Sequence, residues 1–376
     1  MSDLQAITAQ AKDWIAALTR LSPAMVGKKP LAILTAVHID PAAGVLSGYD
    51  FETSAVTTLD ALGEGAPFLV SYRWLLDAIR ATSGKTKTAL TTVTLDGKKV
   101  TVESCGYEVH AEALPVDDYP EIPDVPATIS TEVPACEFRA ALRRAVVAAS
   151  AEEIYPVLEA VQISMVDGAL ELQATDRYRL AEDHVAGEGS GCTKFLLKRR
   201  TIKSLDRFLV GGNVQISVHD NRVAIKTEDV TFTTISVDGD FPKIKSLFPD
   251  AVKASFEVDR AVLLESTRVA KAMNDRFAPC FVRLFDGGAE VTFNDGLFGP
   301  SRAPVAIGEV VAGVKDEVSF GMNPNFLIEA LVQIPTDKVS ISYTTAPKPF
   351  LFQPAGAQVN DPKSPKHLIM PVRMPQ

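Results

Sequence analysis

The side chains that could do covalent chemistry are few and poorly spaced for it. Gly84-Lys85-Thr86 has the ending of a phosphate loop, but that motif needs another glycine five positions before Gly84, where Ile79 stands. A phosphate loop also opens a helix rather than following one, so the segment reads as a turn. The glycine-rich run from Gly187 to Lys194 lacks the Gly-Lys-Ser/Thr ending and reads as a loop. Asp117 and Asp118 could act as paired carboxylates, and Ser150 or Cys136 as a nucleophile. However, His38, His110, His184, His219 and His367 are scattered, and none recurs at a spacing that would supply a base. Cys105, Cys136, Cys192 and Cys280 are 31, 56 and 88 positions apart with no CxxC pair, and are expected to be buried, reduced thiols. No catalytic residue, metal or cofactor is expected.

The elements around these residues say more. A chain of 376 residues exceeds one ordinary core and suits two or three domains. Its 46% hydrophobic and 23% charged residues give the balance of a folded globular protein. No run approaches the roughly 18 to 20 apolar residues of a membrane span, and the first residues carry acids rather than a basic-then-apolar signal, so a cytoplasmic protein is expected. The formal charge of −9 argues against gripping nucleic acid by bulk attraction. It does not exclude DNA, because a chain that surrounds DNA needs only a locally positive lining.

An internal repeat organises the chain. Ile33-Leu-Thr-Ala-Val-His-Ile39 aligns with Val157-Leu-Glu-Ala-Val-Gln-Ile163, an offset of 124, and Gly44-Val-Leu continues against Gly168-Ala-Leu at the same offset. Asp50 then meets Asp176 at 126. Both copies alternate apolar and polar residues around a turn, as half-buried strands do. Each copy closes on a proline segment, with Pro120 and Pro242 equivalent, and a fainter third copy starts at Val282. The expected domains are therefore 1–127, 128–250 and 251–376.

Helical spacing places helices over 137–150 and 258–273, with Phe138, Leu142 and Val146, and Val262, Leu263 and Val269, as their inward residues. Further helices are expected over 72–81, 199–208 and 325–333. Strand runs with helices to one side make each repeat α+β.

With these repeats in view, the chain resembles the beta sliding clamp of bacterial DNA polymerase III. The most specific pieces are Ala174-Thr-Asp-Arg-Tyr-Arg-Leu-Ala181, Asp240-Phe-Pro-Lys-Ile-Lys-Ser-Leu-Phe-Pro249 and His367-Leu-Ile-Met-Pro-Val-Arg373. The resemblance implies three repeated clamp domains per chain and a head-to-tail homodimer, a six-domain ring with helices inside and sheets outside. It implies a non-catalytic processivity factor that encircles duplex DNA and tethers replicative and repair polymerases. Polymerase subunits and the clamp loader then dock through short peptide motifs.

Matching the motifs residue by residue assigns the peptide pocket to Leu158, Thr175, Arg177, Tyr178, Arg179, Leu180, Pro242, Ser246, Leu247, Phe326, Met370, Pro371, Val372, Arg373 and Met374. Arg177 stands where the family usually has glycine, and Ser246 where it often has arginine. The resemblance points to Lys28, Arg73, Arg199 and Arg200 as DNA-lining residues. An accessory, phage-encoded or resistance-associated clamp paralogue is the alternative reading. A hydrolase or nucleotide-binding enzyme is the alternative of another class, set aside on the spacings above.

Overall fold

The protein is described from a computed structural model covering residues 5–25, 31–152, 154–166, 168–273, 278–285, 288–294, 300–305, 307–312, 318–345, 348–359, 361 and 363–372. It is a mixed α and β chain that divides into two compact units, residues 1–136 with 203–236 and residues 137–202 with 237–376. The described helices are α1 (Ala11–Met25), α2 (Tyr72–Ser83), α3 (Ala135–Val146), α4 (Arg199–Leu205), α5 (Arg260–Met273) and α6 (Pro324–Gln333). None is long and apolar enough to cross a membrane.

In the first unit, one antiparallel sheet runs in the order Leu62–Glu64, Gln5–Gln10, Leu90–Asp96, Lys99–Ser104, Tyr107–Glu112. A second runs Ile129–Pro134, Asn213–His219, Arg222–Lys226, Val230–Ile235, Thr53–Thr58, Val45–Tyr49, Ala36–Asp40, Phe68–Ser71. Val230–Ile235 pairs with Thr53–Thr58 in the register Phe232 to Ala55. Helices α1 and α2 supply Trp14, Leu18, Leu21, Leu75 and Ile79 to a buried core with Phe68 and Val93. The buried indole N–H of Trp14 donates to the Thr91 carbonyl at 3.1 Å, so its one polar atom is satisfied.

In the second unit, a sheet runs Cys192–Lys198, Ala160–Val166, Ala169–Thr175, Arg179–Val185, Lys366–Ile369, Phe350–Pro354, Lys338–Tyr343, Ala254–Asp259, Ile307–Ala312. A four-stranded sheet runs Pro300–Val305, Gly288–Asn294, Cys280–Phe285, Val318–Met322. The core between sheets and helices α5 and α6 holds Phe256, Phe320, Phe350 and Leu327, and the Phe320 and Phe350 rings stack at 3.8 Å.

Several expectations are corrected. Helix α1 was not expected: its run contains Pro23 and polar residues that break the apolar spacing. Helix α5 buries Leu263, Leu264, Ser266, Thr267 and Ala270, whereas Val262 and Val269 are 37% and 41% exposed. Its inward face is partly small and polar, which apolar periodicity does not detect. Of the cysteines, all free, only Cys280 is buried. Burial pushes the Cys280 thiol up to about 12. Cys105 is exposed because it sits at positive φ in the two-residue turn with Gly106.

The repeat is visible at atomic level. Asp50 Oδ1 accepts from the amides of Glu52 and Thr53, and Asp176 Oδ1 from those of Tyr178 and Arg179. The residue after each aspartate, Phe51 or Arg177, has φ of 71° or 79°. A short polar side chain that caps its own turn explains why aspartate recurs at this offset.

Candidate functional site

The site is built around the second of these turns. Asp176 Oδ1 takes the amides of Tyr178 and Arg179, each at 3.0 Å, and its Oδ2 takes Nε of Arg179 at 2.9 Å. Thr175 Oγ1 accepts from the Arg177 amide at 3.0 Å and donates to the Arg179 carbonyl at 2.9 Å. The turn is thereby rigid, and Tyr178 is carried outward, 61% exposed.

Strand alternation then sends Arg179 and Leu180 to opposite sides. Arg179 meets α6, where its Nη1 donates to Glu329 at 2.5 Å and its guanidinium carbon lies 4.2 Å from the Phe326 ring centre. Helix α6 is placed by its start: Asn323 Oδ1 accepts from the Asn325 amide, with Pro324 in the first turn. Leu180 instead joins Ile244, Leu351 and Leu368, with Phe241 and Phe248 packed against them. Those contacts anchor the segment that presents Pro242, Ser246 and Leu247 as exposed residues.

The last described strand is pinned to the same turn. Lys366–Ile369 pairs with Arg179–Val185 in the register Leu368 to Leu180, and the Met370 amide then donates to the Tyr178 carbonyl at 2.9 Å. Val372 donates to Gly321 at 2.8 Å. A β-carbon on Gly321 would meet the Val372 carbonyl at 3.0 Å, so glycine permits this approach. Met370, bonded to Tyr178, and Val372 are both exposed. Leu158 is buried, its loop fixed by Leu158 donating to the Tyr155 carbonyl and Ser150 to the Leu158 carbonyl.

Two polar layers flank the joined strands. On the Leu180 side, Gln173 bonds both Glu171 and Glu182, while Lys366 lies 3.1 Å from Glu182 and Lys245 lies 2.7 Å from Glu171. Donor atoms of Glu171, Glu182 and His184 lie within 4.8 Å of one another, a spacing that could hold a metal ion. The two lysines, however, already neutralise both carboxylates. On the Arg179 side, Arg144 pairs with Asp183, and burial raises the Asp183 carboxyl even beside Arg144. His367 is buried there, and burial first, then Arg179 and Arg144, lowers its imidazole to about 3. Thr175's hydroxyl is taken up by backbone bonds and His367 is held neutral. The arrangement offers a rigid apolar rim rather than a nucleophile with its base.

Among the curated relatives, the beta sliding clamp of Micrococcus luteus is 34% identical over 279 residues, covering 72% of this chain and 86% of its own. The chain belongs to the beta sliding clamp family. Residues 132–243 match the DNA polymerase III beta subunit, central domain. The beta sliding clamp homolog GriR of Streptomyces muensis is 24% identical over 375 residues, covering 98% of this chain and 97% of its own. The sliding clamp from Bacillus subtilis shares the fold, with a TM-score of 0.89 at 19% identity over 99% of this chain and 100% of that one.

Of the pocket residues expected from the family, Leu158, Thr175, Arg177, Tyr178, Arg179, Leu180, Pro242, Ser246, Leu247, Phe326, Met370, Pro371 and Val372 all lie in the second unit; Phe326 and Met370 contact the 175–180 turn directly. Arg373 and Met374 lie outside the described residues, as does Lys28. Arg73 is exposed on α2 and Arg200 is exposed on α4. Arg199 starts α4 but donates to the Ala149 carbonyl at 2.6 Å, tying the helix to the end of the α3 segment. Sequence reading missed Glu329, Ile244, Tyr155 and Arg144. Glu329, three residues after Phe326 on one helix, had a spacing signal, whereas Ile244 was inside a recognised motif and Tyr155 had none.

Proposed function

We propose that the chain is a DNA polymerase processivity factor: a non-catalytic, cytoplasmic sliding clamp with domains 1–127, 128–250 and 251–376. Two copies form a head-to-tail ring around duplex DNA and hold polymerase and loader segments at the 175–180 rim. Family membership supports the processivity role. The observation that carries the ring is a rule of strand recruitment. In each unit, the strand leaving the aspartate turn pairs with a strand about one repeat or more further along: Thr53–Thr58 with Val230–Ile235, and Arg179–Val185 with Lys366–Ile369. Tyr107–Glu112 in the first unit and Pro300–Val305 in the second are among the strands that lie at sheet edges. An unpaired edge recruits another chain. Pairing these edges between two copies, twice, closes a ring by rotation.

Lys28, Arg73, Arg199 and Arg200 are the proposed lining. The test is retention of labelled protein on closed circular and on linearised plasmid, after loading by an ATP-driven clamp loader. Ordinary phosphate contacts lose about 10³ to 10⁵ in affinity between 50 and 200 mM salt when 6 to 10 are made. A ring persists on the circle through that range and is lost when the circle is cut, whereas equal salt-sensitive loss from both forms would refute encirclement. A second reading, an accessory or resistance-associated paralogue, is favoured by the likeness to GriR and by Arg177 and Ser246 at the rim. Failure to replace a resident clamp in cells, with polymerase stimulation intact, would select it.

A further inference from the structure

At the edge of the rim, the guanidinium carbon of Arg177 lies 4.8 Å from the centre of the Tyr155 ring. Neither residue is placed there by accident of the backbone. Arg177 is the first central residue of a two-residue hairpin turn with φ of 79°, a position where glycine is favoured and a β-carbon is crowded. Its amide is already satisfied by Thr175, so the side chain is what distinguishes arginine from glycine here. Tyr155 is 50% exposed. Its loop is fixed, because its carbonyl accepts from Leu158 at 2.9 Å and from Glu159 at 3.2 Å, and Leu158 is itself an expected wall of the groove.

A cation over an aromatic face is held without using up its N–H donors, which in a guanidinium form the fork that matches a carboxylate. Arg179, two residues on, is buried and bonded to Asp176 and Glu329. Arg177 is exposed, and among the described residues no carboxylate lies within ion-pair distance of it. Arg177 thus sets an exposed cation beside the exposed Tyr178 and Tyr155, on a chain whose overall charge is −9. Resting on the partner-segment function above, we propose that Arg177, held over Tyr155, forms a further subsite that takes a carboxylate side chain next to the apolar anchor of the bound segment. The fitting partner is an acidic segment with Leu or Phe anchors.

The experiment uses the full chain and two fluorescein-labelled probes, Asp-Leu-Gly-Leu-Phe-Asp and its twin with Asn for both Asp, followed by anisotropy. At 50 mM salt the acidic probe should bind about two- to fivefold more tightly than the neutral one, the range of an exposed charge pair. The ratio should fall toward one at 500 mM salt and in Arg177→Gly. Tyr155→Ala should also lower it by releasing the guanidinium, and Tyr155→Phe should restore it. Arg177→Gly should melt no earlier than the parent, since glycine accepts that φ. Equal binding of the two probes by the parent, or an unchanged ratio in Arg177→Gly, overturns the subsite alone. Binding of neither probe by the folded parent overturns the groove itself.

Discussion

Replacing His367 with glutamine should flatten the acid side of the stability curve. His367 is 3% exposed, and its imidazole, ordinarily near 6.5, is lowered to about 3 by burial and then by Arg179 and Arg144. Between those two values the unfolded chain binds a proton that the folded chain refuses, so stability is lost as pH falls. At about 1.4 kcal/mol per pH unit, the loss is about 2 kcal/mol by pH 5 and about 4 kcal/mol by pH 3.5. Asp183, whose carboxyl is raised by burial, acts with the opposite sign: its folded form takes up a proton more readily, so acid favours the fold there. Asp183 is present in both proteins and largely cancels in the difference. The assay is urea unfolding at pH 7.5, 6, 5 and 4.5. Trp14 and Trp74 both belong to the first unit, so far-ultraviolet circular dichroism, rather than tryptophan fluorescence, must follow the strand carrying His367. The parent should lose about 2 kcal/mol more than the variant between pH 7.5 and 5; parallel curves would refute the reasoning.

Removing residues 370–376 deletes one side of the rim and should abolish peptide-probe binding, while size-exclusion chromatography still reports a dimer near twice 40.4 kDa; unchanged probe affinity would reject the site. Asp176→Ala should cost about 2 to 3 kcal/mol, since it leaves two turn amides and Nε of Arg179 without an acceptor, and Asp176→Asn should cost less because one side-chain oxygen remains. Equal losses in the two variants, measured by urea unfolding, would show that the backbone bonds are unimportant. In the native chain a thiol reagent should modify Cys105, Cys136 and Cys192 quickly and Cys280 only after denaturation; mass spectrometry of the labelled peptides decides it.

What was legible in the sequence is what local chemistry dictates. Asp50 and Asp176 recur because each caps the turn that follows it, and the strands around them alternate because one face is buried. Helices α2, α3 and α6 were found because Leu75 and Ile79, Phe138 and Leu142, and Leu327 and Leu331 repeat at helical spacing and are buried. Helix α1 was missed where Pro23, Thr19 and Ser22 interrupt the pattern, and the burial of α5 was misassigned because Thr267 and Ala270 face inward. The rim depended on long-range pairing. Leu180 meets Leu368 across almost 190 positions, and nothing in either segment encodes the other. Only the family resemblance put the two in one site, and it did not include Tyr155 or Glu329, which hold Arg177 and Arg179 in place.

The two aspartate turns show how one scaffold comes to serve two ends. In the first copy the left-handed position carries Phe51, whose ring contacts Tyr49 at 5.7 Å within the same hairpin. In the second it carries Arg177, which reaches a different loop. Both copies commit the outgoing strand to a strand from further along the chain, so the turn is structural in each, and what differs is the side chain it displays. The same logic bears on assembly. Two outgoing strands are satisfied within the chain, and Pro300–Val305 keeps an open edge, as does Tyr107–Glu112 at the other end. In the proposed ring, pairing between copies would give the third repeat the arrangement that the two internal ones already follow. A net charge of −9 fits the proposed ring, in which retention on DNA depends on a closed protein interface and not on the strength of phosphate contacts.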